Sequence, residues 1–368
     1  MKRRAFIQKA IPAVLATGFL ASCRKEESGA PAIVTQPHIE WRLASSFPRS
    51  LDTLYGAAEV FCKRLAEMTE NRFRIRPYPA GELVPGLQVL DAVQQGTVHV
   101  GQTAGYYYTG KHPALAFETT VPFGLTMRQQ IAWLTQAGGL GLIGEVLSDF
   151  NIIPFYAGGT GAQMGGWFRR EVNDLKTLKG LKMRIPALGG EIMSQMGVNV
   201  QLLAGSDVYM ALERDAIDAT EWVGPYDDEK LGFYKVAKNY YYPGWWEPGA
   251  SLSLYVNQKA WQQLPSSYQA AFNAANAEAA LYMLSKYDEQ NPAALTRLLA
   301  HGVNLRRFPD DLMAEAERHA VAIMEERAAK EASYAKVYAQ WKKFRAESFQ
   351  WFDIAEQSYQ AFAFRQRS

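Results

Sequence analysis

IEWRLA, residues 39–44, is the first of several short apolar stretches that predict β-strands. An amphipathic helix is predicted over about residues 51–68. A strand with period-two alternation follows at residues 73–78. A helix over residues 85–95 then leads to a third strand at 98–103. This β-α-β-α-β order predicts an α/β layer with a mostly parallel sheet.

The same alternation resumes in the second half of the chain. Further strands are predicted at residues 152–157, 164–168, 181–185, 251–256 and 303–308, with helices near 191–196 and 208–214. From Pro309 onward the pattern is helical. Tyr334, Val337, Tyr338, Trp341 and Phe344 recur there at spacings of three and four residues, which predicts a stripe packed against the core or a partner.

Composition excludes several classes of protein. The 368 residues suggest two domains, because domains usually hold roughly 100–200 residues. Lys and Arg number 39 against 37 Asp and Glu, so no basic excess indicates nucleic-acid binding. Two cysteines exclude a disulfide scaffold, and the five histidines lack the paired spacing of a transition-metal site.

Residues 1–23 predict an export signal. A cationic start, RRAFI at residues 3–7, precedes an apolar run that ends in LASC at residues 20–23. LASC resembles a bacterial lipobox, in which Cys23 would be acylated and become the first mature residue, and RRAFI resembles a twin-arginine signal. A plain cleaved signal with an incidental Cys23 is the alternative. Residues 24–37 read as a tether, and Cys62 is then a lone thiol on a helix face.

GLGLIG at residues 139–144 matches the GxGxxG pattern of dinucleotide-binding proteins. A nucleotide site requires a strand before this turn and an acidic residue about twenty positions after it. Here residues 128–136 read as a helix, and Met164 stands near the expected acid. The sequence also has no GxSxG nucleophile motif, and neither Cys62 nor any serine lies in a recognisable activation motif.

The most informative side chains lie between residues 160 and 250. Arg184 ends an apolar strand, where its guanidinium can pair with a carboxylate. Gln163, Glu221, Trp222 and Glu247 lie in glycine- and aromatic-rich stretches. Taken singly, each has an ordinary structural interpretation, as a surface ion pair, a solvated acid or a core aromatic. Together they predict a small aromatic-walled site, and its two acids would repel an anionic ligand unless a metal cation lay between them.

Several motifs resemble the solute-binding proteins of TRAP transporters, which are tripartite, ATP-independent periplasmic importers. These motifs are WRLASSFP (41–48), AGELVP (80–85), LKGLKMR (178–184) and DATEWVGPYDD (218–228), and the resemblance runs from about residue 38 to the C-terminus. EWVGPYDDEKLGF (221–233) and YYYPGWWE (240–247) are similar to the α-keto acid-binding subgroup. That subgroup holds a monocarboxylate such as pyruvate together with a metal ion.

The resemblance implies a role for each candidate residue. Arg184 would bind the ligand carboxylate, Gln163 would contact both ligand and metal, and Trp222 would contribute its ring and backbone oxygen. The acids Glu221 and Glu247 would surround the cation, with Glu247 also facing the ligand. One of Tyr106, Tyr107 and Tyr108, with Tyr107 favoured, would face the cleft from the other lobe. The cation implied is sodium, with calcium as the alternative.

The resemblance also implies the architecture and partners. The fold would be a two-lobed α/β binding protein, with lobe I at residues 38–160 plus about 250–305 and lobe II at 161–249. A long C-terminal helical segment at 309–368 would pair two copies. The protein would capture a 2-oxo or 2-hydroxy acid in the periplasm, tethered by lipid, and deliver it to membrane permease subunits. A dicarboxylate or sugar acid on the same fold, or a periplasmic enzyme acting on small organic acids, are the alternatives.

Overall fold

The computed structural model describes residues 36–365. The predicted export signal, Cys23 and residues 24–35 of the predicted tether lie outside the described residues. No helix within the described part of the chain combines the length and apolar character needed to cross a membrane.

Strands are numbered in chain order within residues 36–365, and most begin or end within two residues of the prediction. They are β1 (Ile39–Ser45), β2 (Phe73–Tyr78), β3 (Val100–Thr103), β4 (Ile152–Gly159), β5 (Gly166–Phe168), β6 (Lys182–Arg184), β7 (Asn199–Gln201), β8 (Ala219–Thr220), β9 (Asn239–Tyr242), β10 (Ser251–Asn257) and β11 (Asn304–Arg307).

The helices of the same region are numbered in the same way. They are α1 (Leu54–Met68), α2 (Val89–Gln94), α3 (Leu115–Thr119), α4 (Met127–Thr135), α5 (Gly139–Ser148), α6 (Leu175–Leu178), α7 (Ala187–Gln195), α8 (Gly205–Glu213), α9 (Pro225–Leu231), α10 (Gln258–Gln262), α11 (Ser266–Ala300), α12 (Asp310–Lys330), α13 (Ala332–Phe352) and α14 (Ser358–Arg365). Short 3₁₀ turns occur at Gly86–Gln88, Gly105–Tyr108 and Phe233–Lys235, and a π-helical turn joins α13 to α14.

The strands form two separate sheets, which confirms the predicted two-lobed α/β fold. The first sheet has the order β2-β1-β3-β10-β4, and the second has the order β11-β9-β5-β8-β6-β7. In the first, β1 is parallel to β2 and β3, and only β10 runs against its neighbours. In the second, β5 is the one strand antiparallel to its neighbours. Each reversed strand is the first one formed after the chain enters that sheet from the other.

Two connecting segments therefore carry the chain between the lobes. Residues 160–165 join β4 of the first sheet to β5 of the second, and residues 243–250 join β9 back to β10. The 35-residue helix α11 makes a third connection, because it packs against α1 and β4 and also against α9.

The first sheet buries an apolar face against α1 and α11. Leu43 contributes from β1, Phe61 and Leu65 from α1, and Phe272 from α11, each no more than 1% exposed. Cys62 lies in the same core as a free thiol, and burial raises the pKa of that thiol.

The GLGLIG stretch forms the first turns of α5 rather than a strand-to-helix turn. Gly139 lies against the indole of Trp133, so close that an added Cβ atom would come within 2.6 Å of the ring. Gly139 therefore allows close packing against Trp133.

The C-terminal helical segment is present and is divided into two long helices. Glu331 adopts an extended backbone (φ −135°, ψ 117°) between α12 and α13. Tyr334 and Trp341 pack their rings on Phe117, with centroid distances of 5.3 and 5.4 Å. The predicted stripe thus packs against the core from Tyr334 to Trp341. Beyond it, five large apolar side chains are 62–70% exposed: Trp351, Ile354, Tyr359, Phe362 and Phe364.

A buried acid fastens α3 to the first sheet. Ser253 Oγ of β10 donates to Glu118 Oε1 at 2.6 Å, and the Tyr255 hydroxyl donates to the other carboxylate oxygen. Burial raises the pKa of Glu118 to about 7, although the two hydroxyl groups partly offset the shift.

We expect Glu118 to make folding stability depend on pH. Its pKa is higher in the folded chain than the ordinary 4.5, so the folded state holds the proton more tightly. Stability should therefore fall as pH rises from about 4.5 to 7, by roughly 3 kcal/mol at most. Urea unfolding at pH 5 and pH 7.5 should show this fall reduced in Glu118→Gln but retained in Glu40→Gln, an exposed control. Equal falls in all three proteins would contradict the prediction.

Candidate ligand-binding site

Arg184 is the cationic centre of the site. It ends β6, the strand that pairs with β7 on one side and β8 on the other. Its side chain is 1% exposed. Its Nη1 donates to the carboxylate of Glu221 and to the Glu221 backbone oxygen at 3.3 Å, while Nε donates to the Leu203 carbonyl at 3.2 Å. A fully buried guanidinium is thus held by an acid and two carbonyl groups.

Glu221 and Trp222 reach the site because they directly follow β8. The Glu221 amide donates to the Arg184 carbonyl at 3.3 Å, which continues the pairing of β8 with β6. The guanidinium carbon of Arg184 lies 5.0 Å from the centroid of the Trp222 ring, a cation–π contact. The far edge of that ring lies against Gly205, where an added Cβ atom would come within 2.2 Å, so only glycine fits there.

Gln163 and Glu247 lie on the two segments that connect the lobes. The backbone N–H of Gln163 donates to the backbone carbonyl of Glu247 at 3.2 Å. The backbone N–H of Gly244 donates to the backbone carbonyl of Gln163 at 3.1 Å. The Gln163 side-chain nitrogen donates to Thr160 Oγ1 at 3.0 Å. Both side chains are buried. The two connecting segments are therefore hydrogen-bonded to each other beside the site.

The first lobe contributes two tyrosines rather than one. Tyr106 and Tyr107 both line the cavity that contains Arg184 and Trp222. Tyr108 points into its own lobe, where its hydroxyl bonds Thr103 Oγ1 at 2.8 Å. Burial raises the pKa of Tyr107 to about 12, although the Arg184 charge partly offsets the shift.

The remaining walls of this cavity are mostly small or apolar. They were missed in the sequence, because isolated apolar residues near strand ends resemble any core position. They are Phe47, Leu54, Ala104, Thr119, Val223, Ala250 and Leu252.

Three buried oxygen atoms at the site make no hydrogen bond with any described residue. They are Gln163 Oε1, Glu221 Oε2 and Glu247 Oε2. A buried polar atom without a partner costs about 1–3 kcal/mol, so such a group calls for a ligand. Two carboxylate oxygens and an amide oxygen are donors that hard cations such as sodium or calcium prefer. No three His, Cys, Asp or Glu side chains among residues 36–365 form a metal cluster.

Both acids of this set have a raised pKa. Burial raises the pKa of Glu221, and Arg184 partly offsets the shift. Burial also raises the pKa of Glu247, and the neighbouring charge of Glu221 raises it further. One guanidinium cannot balance two carboxylates and an anionic ligand as well. Ionising both acids beside an anionic ligand therefore requires an additional positive charge.

Asp227 is a further buried acid, and it joins the two lobes near the cavity. Thr53, just before α1, donates its hydroxyl to Asp227 Oδ1 at 2.7 Å, and Tyr287 of α11 donates to Asp227 Oδ2 at 2.6 Å. Asp227 belongs to α9 and is fully buried. Its neighbour Asp228 instead accepts from Trp167 and Tyr240 within its own lobe, at 2.9 and 2.7 Å. Consecutive acids thus fasten α9 both to its own sheet and to the opposite lobe.

Two lobes that enclose a small cavity with a buried arginine, and two connecting segments beside it, are typical of an extracellular solute-binding protein. The model of bacterial extracellular solute-binding protein family 7 matches residues 44–331. The chain belongs to this family.

Similar proteins indicate a narrower group within this family. A monocarboxylate 2-oxoacid-binding periplasmic protein from a Nostoc species is 54% identical over 363 residues, 99% of each chain. A TRAP transporter solute-binding protein from Bordetella bronchiseptica is 44% identical, with a TM-score of 0.88 over 90% of this chain and 98% of its own. Its crystal structure is a mixed-occupancy dimer, with copurified calcium and picolinate bound in one active site. A Pseudoalteromonas atlantica TRAP protein with bound sodium and pyruvate is 37% identical. Its TM-score is 0.85, over 87% of this chain and 98% of its own.

These similarities confirm the resemblance on which the sequence analysis relied. The chain is a periplasmic solute-binding subunit of a TRAP transporter.

We expect the Thr53–Asp227 hydrogen bond to slow the release of solute, because it joins the lobes that enclose the cavity. Thr53→Val keeps the side-chain shape but leaves Asp227 Oδ1 without its donor, so dissociation should be about tenfold faster. Stopped-flow fluorescence with pyruvate as the probe measures this rate. Thr69→Val is the matched control, because the Thr69 hydroxyl donates within the first lobe to the Leu65 carbonyl at 2.8 Å. Equal dissociation rates in both variants would contradict the prediction.

Proposed function

We propose that this protein captures a 2-oxo monocarboxylate, such as pyruvate, or the related 2-hydroxy acid, together with a sodium or calcium ion. The observation that carries the proposal is the set of buried, unpartnered oxygens on Gln163, Glu221 and Glu247 beside Arg184. The Nostoc, Bordetella and Pseudoalteromonas relatives support it through the ligands that they are named for or contain.

Arg184 binds the ligand carboxylate in this proposal. It is the one Lys or Arg among the described residues that line the cavity, which favours a monocarboxylate over a dicarboxylate. Its guanidinium is paired with Glu221. The ligand carboxylate competes with Glu221 for the guanidinium.

The acids hold the cation in this proposal. Glu221, Glu247 and Gln163 provide side-chain oxygens, and Trp222 provides its backbone oxygen. When bound, the cation supplies positive charge that offsets the two acids and attracts the carboxylate and 2-oxo oxygens of the ligand. Tyr106, Tyr107 and the Trp222 ring exclude water around the short apolar tail.

We further propose that the lobes, residues 38–160 with about 250–305 and residues 161–249, move as units about the two connecting segments. The protein binds and releases its solute unchanged, as expected of a transport family. Cys23 carries a lipid anchor after export by the twin-arginine or general route, a proposal supported by LASC at residues 20–23.

Calorimetry with pyruvate tests the binding proposal. Arg184→Met should weaken binding by about 100-fold or more, because a buried charge-assisted contact is lost. Arg306→Met is the control, since Arg306 pairs with Glu171 at the edge of the second sheet. Removing calcium with a chelator in sodium-free buffer should also weaken binding, and restoring either ion should recover it. Unchanged affinity in Arg184→Met would overturn the carboxylate assignment, and unchanged affinity without cations would overturn the metal site.

We also propose that two copies pair through the C-terminal segment. The exposed apolar side chains of α14 and the preceding turn support this, as does the dimer of the Bordetella relative. The exposed apolar area would be buried by a second copy that offers the same surface.

Light scattering coupled to gel filtration tests the pairing. The unmodified protein should have twice the chain mass, and a Phe362→Ser/Phe364→Ser variant should have the mass of one chain. Val321→Ser is the control, because Val321 is an exposed apolar residue of α12 outside this surface. A monomeric unmodified protein would contradict the proposal.

A further inference from the structure

The segment that carries Glu247 is supported by a loop of the first lobe. The Phe123 amide donates to the Trp245 carbonyl at 2.8 Å, and the two rings stack at 5.1 Å with an interplanar angle of 13°. Gly249 lies so close to the start of α4 that an added Cβ atom would come within 2.3 Å of the Met127 nitrogen. The position of Glu247 therefore depends on the loop at residues 120–126.

That loop contains an unusual backbone conformation at Phe123. Its φ angle is 56°, in the left-handed region that residues other than glycine rarely adopt. This conformation directs the Phe123 amide toward Trp245 while its carbonyl accepts hydrogen bonds from Arg345 of α13. Such a backbone persists only where surrounding contacts hold it.

Arg345 provides those contacts. Its Nε and Nη2 atoms both donate to the Phe123 carbonyl, at 3.1 and 2.9 Å. Its guanidinium also lies 4.1 Å from the centroid of the Phe349 ring. No carboxylate among residues 36–365 forms an ion pair with it within 4.0 Å. The Arg345 side chain thus restrains the loop through two hydrogen bonds to one carbonyl group.

We propose that Arg345 is a positioning residue for Glu247, acting through Phe123 and Trp245. The inference rests on the proposed function, in which Glu247 is a ligand of the cation. The path consists of direct contacts: Arg345 holds the Phe123 carbonyl, Phe123 holds the Trp245 backbone and ring, and Trp245 lies two residues before Glu247. Losing the two Arg345 hydrogen bonds frees the loop and misplaces the Glu247 carboxylate.

Arg128 offers a matched control for simple docking of the C-terminal segment. It pairs with Glu356 at 2.7 Å, and its guanidinium lies 5.2 Å from the centroid of the Phe352 ring. It therefore joins α4 to the end of α13 and the turn that follows, without holding the Phe123 carbonyl. If docking of this segment alone mattered, Arg128→Gln and Arg345→Gln would have the same effect.

Calorimetry of pyruvate binding at limiting and at saturating calcium tests the inference. Removing a contact that orients a metal ligand typically weakens metal affinity by about 10–100-fold. We therefore expect Arg345→Gln to weaken pyruvate binding about tenfold at limiting calcium and much less at saturating calcium. Arg128→Gln should match the unmodified protein at both. A Phe123→Leu variant should show the same calcium dependence, and its combination with Arg345→Gln should be no worse than either alone.

The outcomes separate this inference from the proposed function. If the unmodified protein binds pyruvate without any need for a cation, the proposed metal site fails, and the inference fails with it. If the unmodified protein shows cation-dependent binding that Arg345→Gln retains in full, the inference alone is overturned. A loss in Arg345→Gln that saturating calcium does not reduce would also overturn it, because general destabilisation would explain that result.

Discussion

The buried ion pair between Arg184 and Glu221 is the constraint on which the site depends. Both side chains are at most 1% exposed, so neither charge is stabilised by water. Glu247 is also buried, and burial together with the neighbouring Glu221 charge raises its pKa, so the single guanidinium does not suffice to keep both acids ionised. Burying charges is unfavourable unless they are paired, so a cation held between the two acids would stabilise the site and allow an anionic ligand to bind beside Arg184.

The same constraint explains why the site lies where the chain passes between the lobes. Arg184 and Glu221 are fixed to the second sheet, Tyr106 and Tyr107 follow a strand of the first, and Glu247 lies on a connecting segment. A ligand that contacts all of them holds the two lobes together. The Thr53–Asp227 hydrogen bond and the long helix α11 join the same two lobes.

The architecture followed from local patterns to a large extent. Alternating apolar residues predicted most strands, and β2 has the predicted boundaries, with buried and exposed residues alternating over its first four positions. The reversed strands β5 and β10 were not predictable in this way, because strand direction depends on how the chain returns from the other lobe. The break at Glu331 was also missed, since no glycine or proline interrupts the helical pattern there.

The types of residue in the site were determined by the sequence alone. An arginine at a strand end, two acids in aromatic-rich turns and a glutamine beside glycines already predicted an anion, a cation and an enclosed cavity. Only the tertiary structure decided that Tyr106 lines the cavity with Tyr107 and that Phe123 supports the segment of Glu247. The physical reason is that residue type and periodicity are local properties. Which side chains converge depends on segments far apart in the chain, brought together when both sheets form.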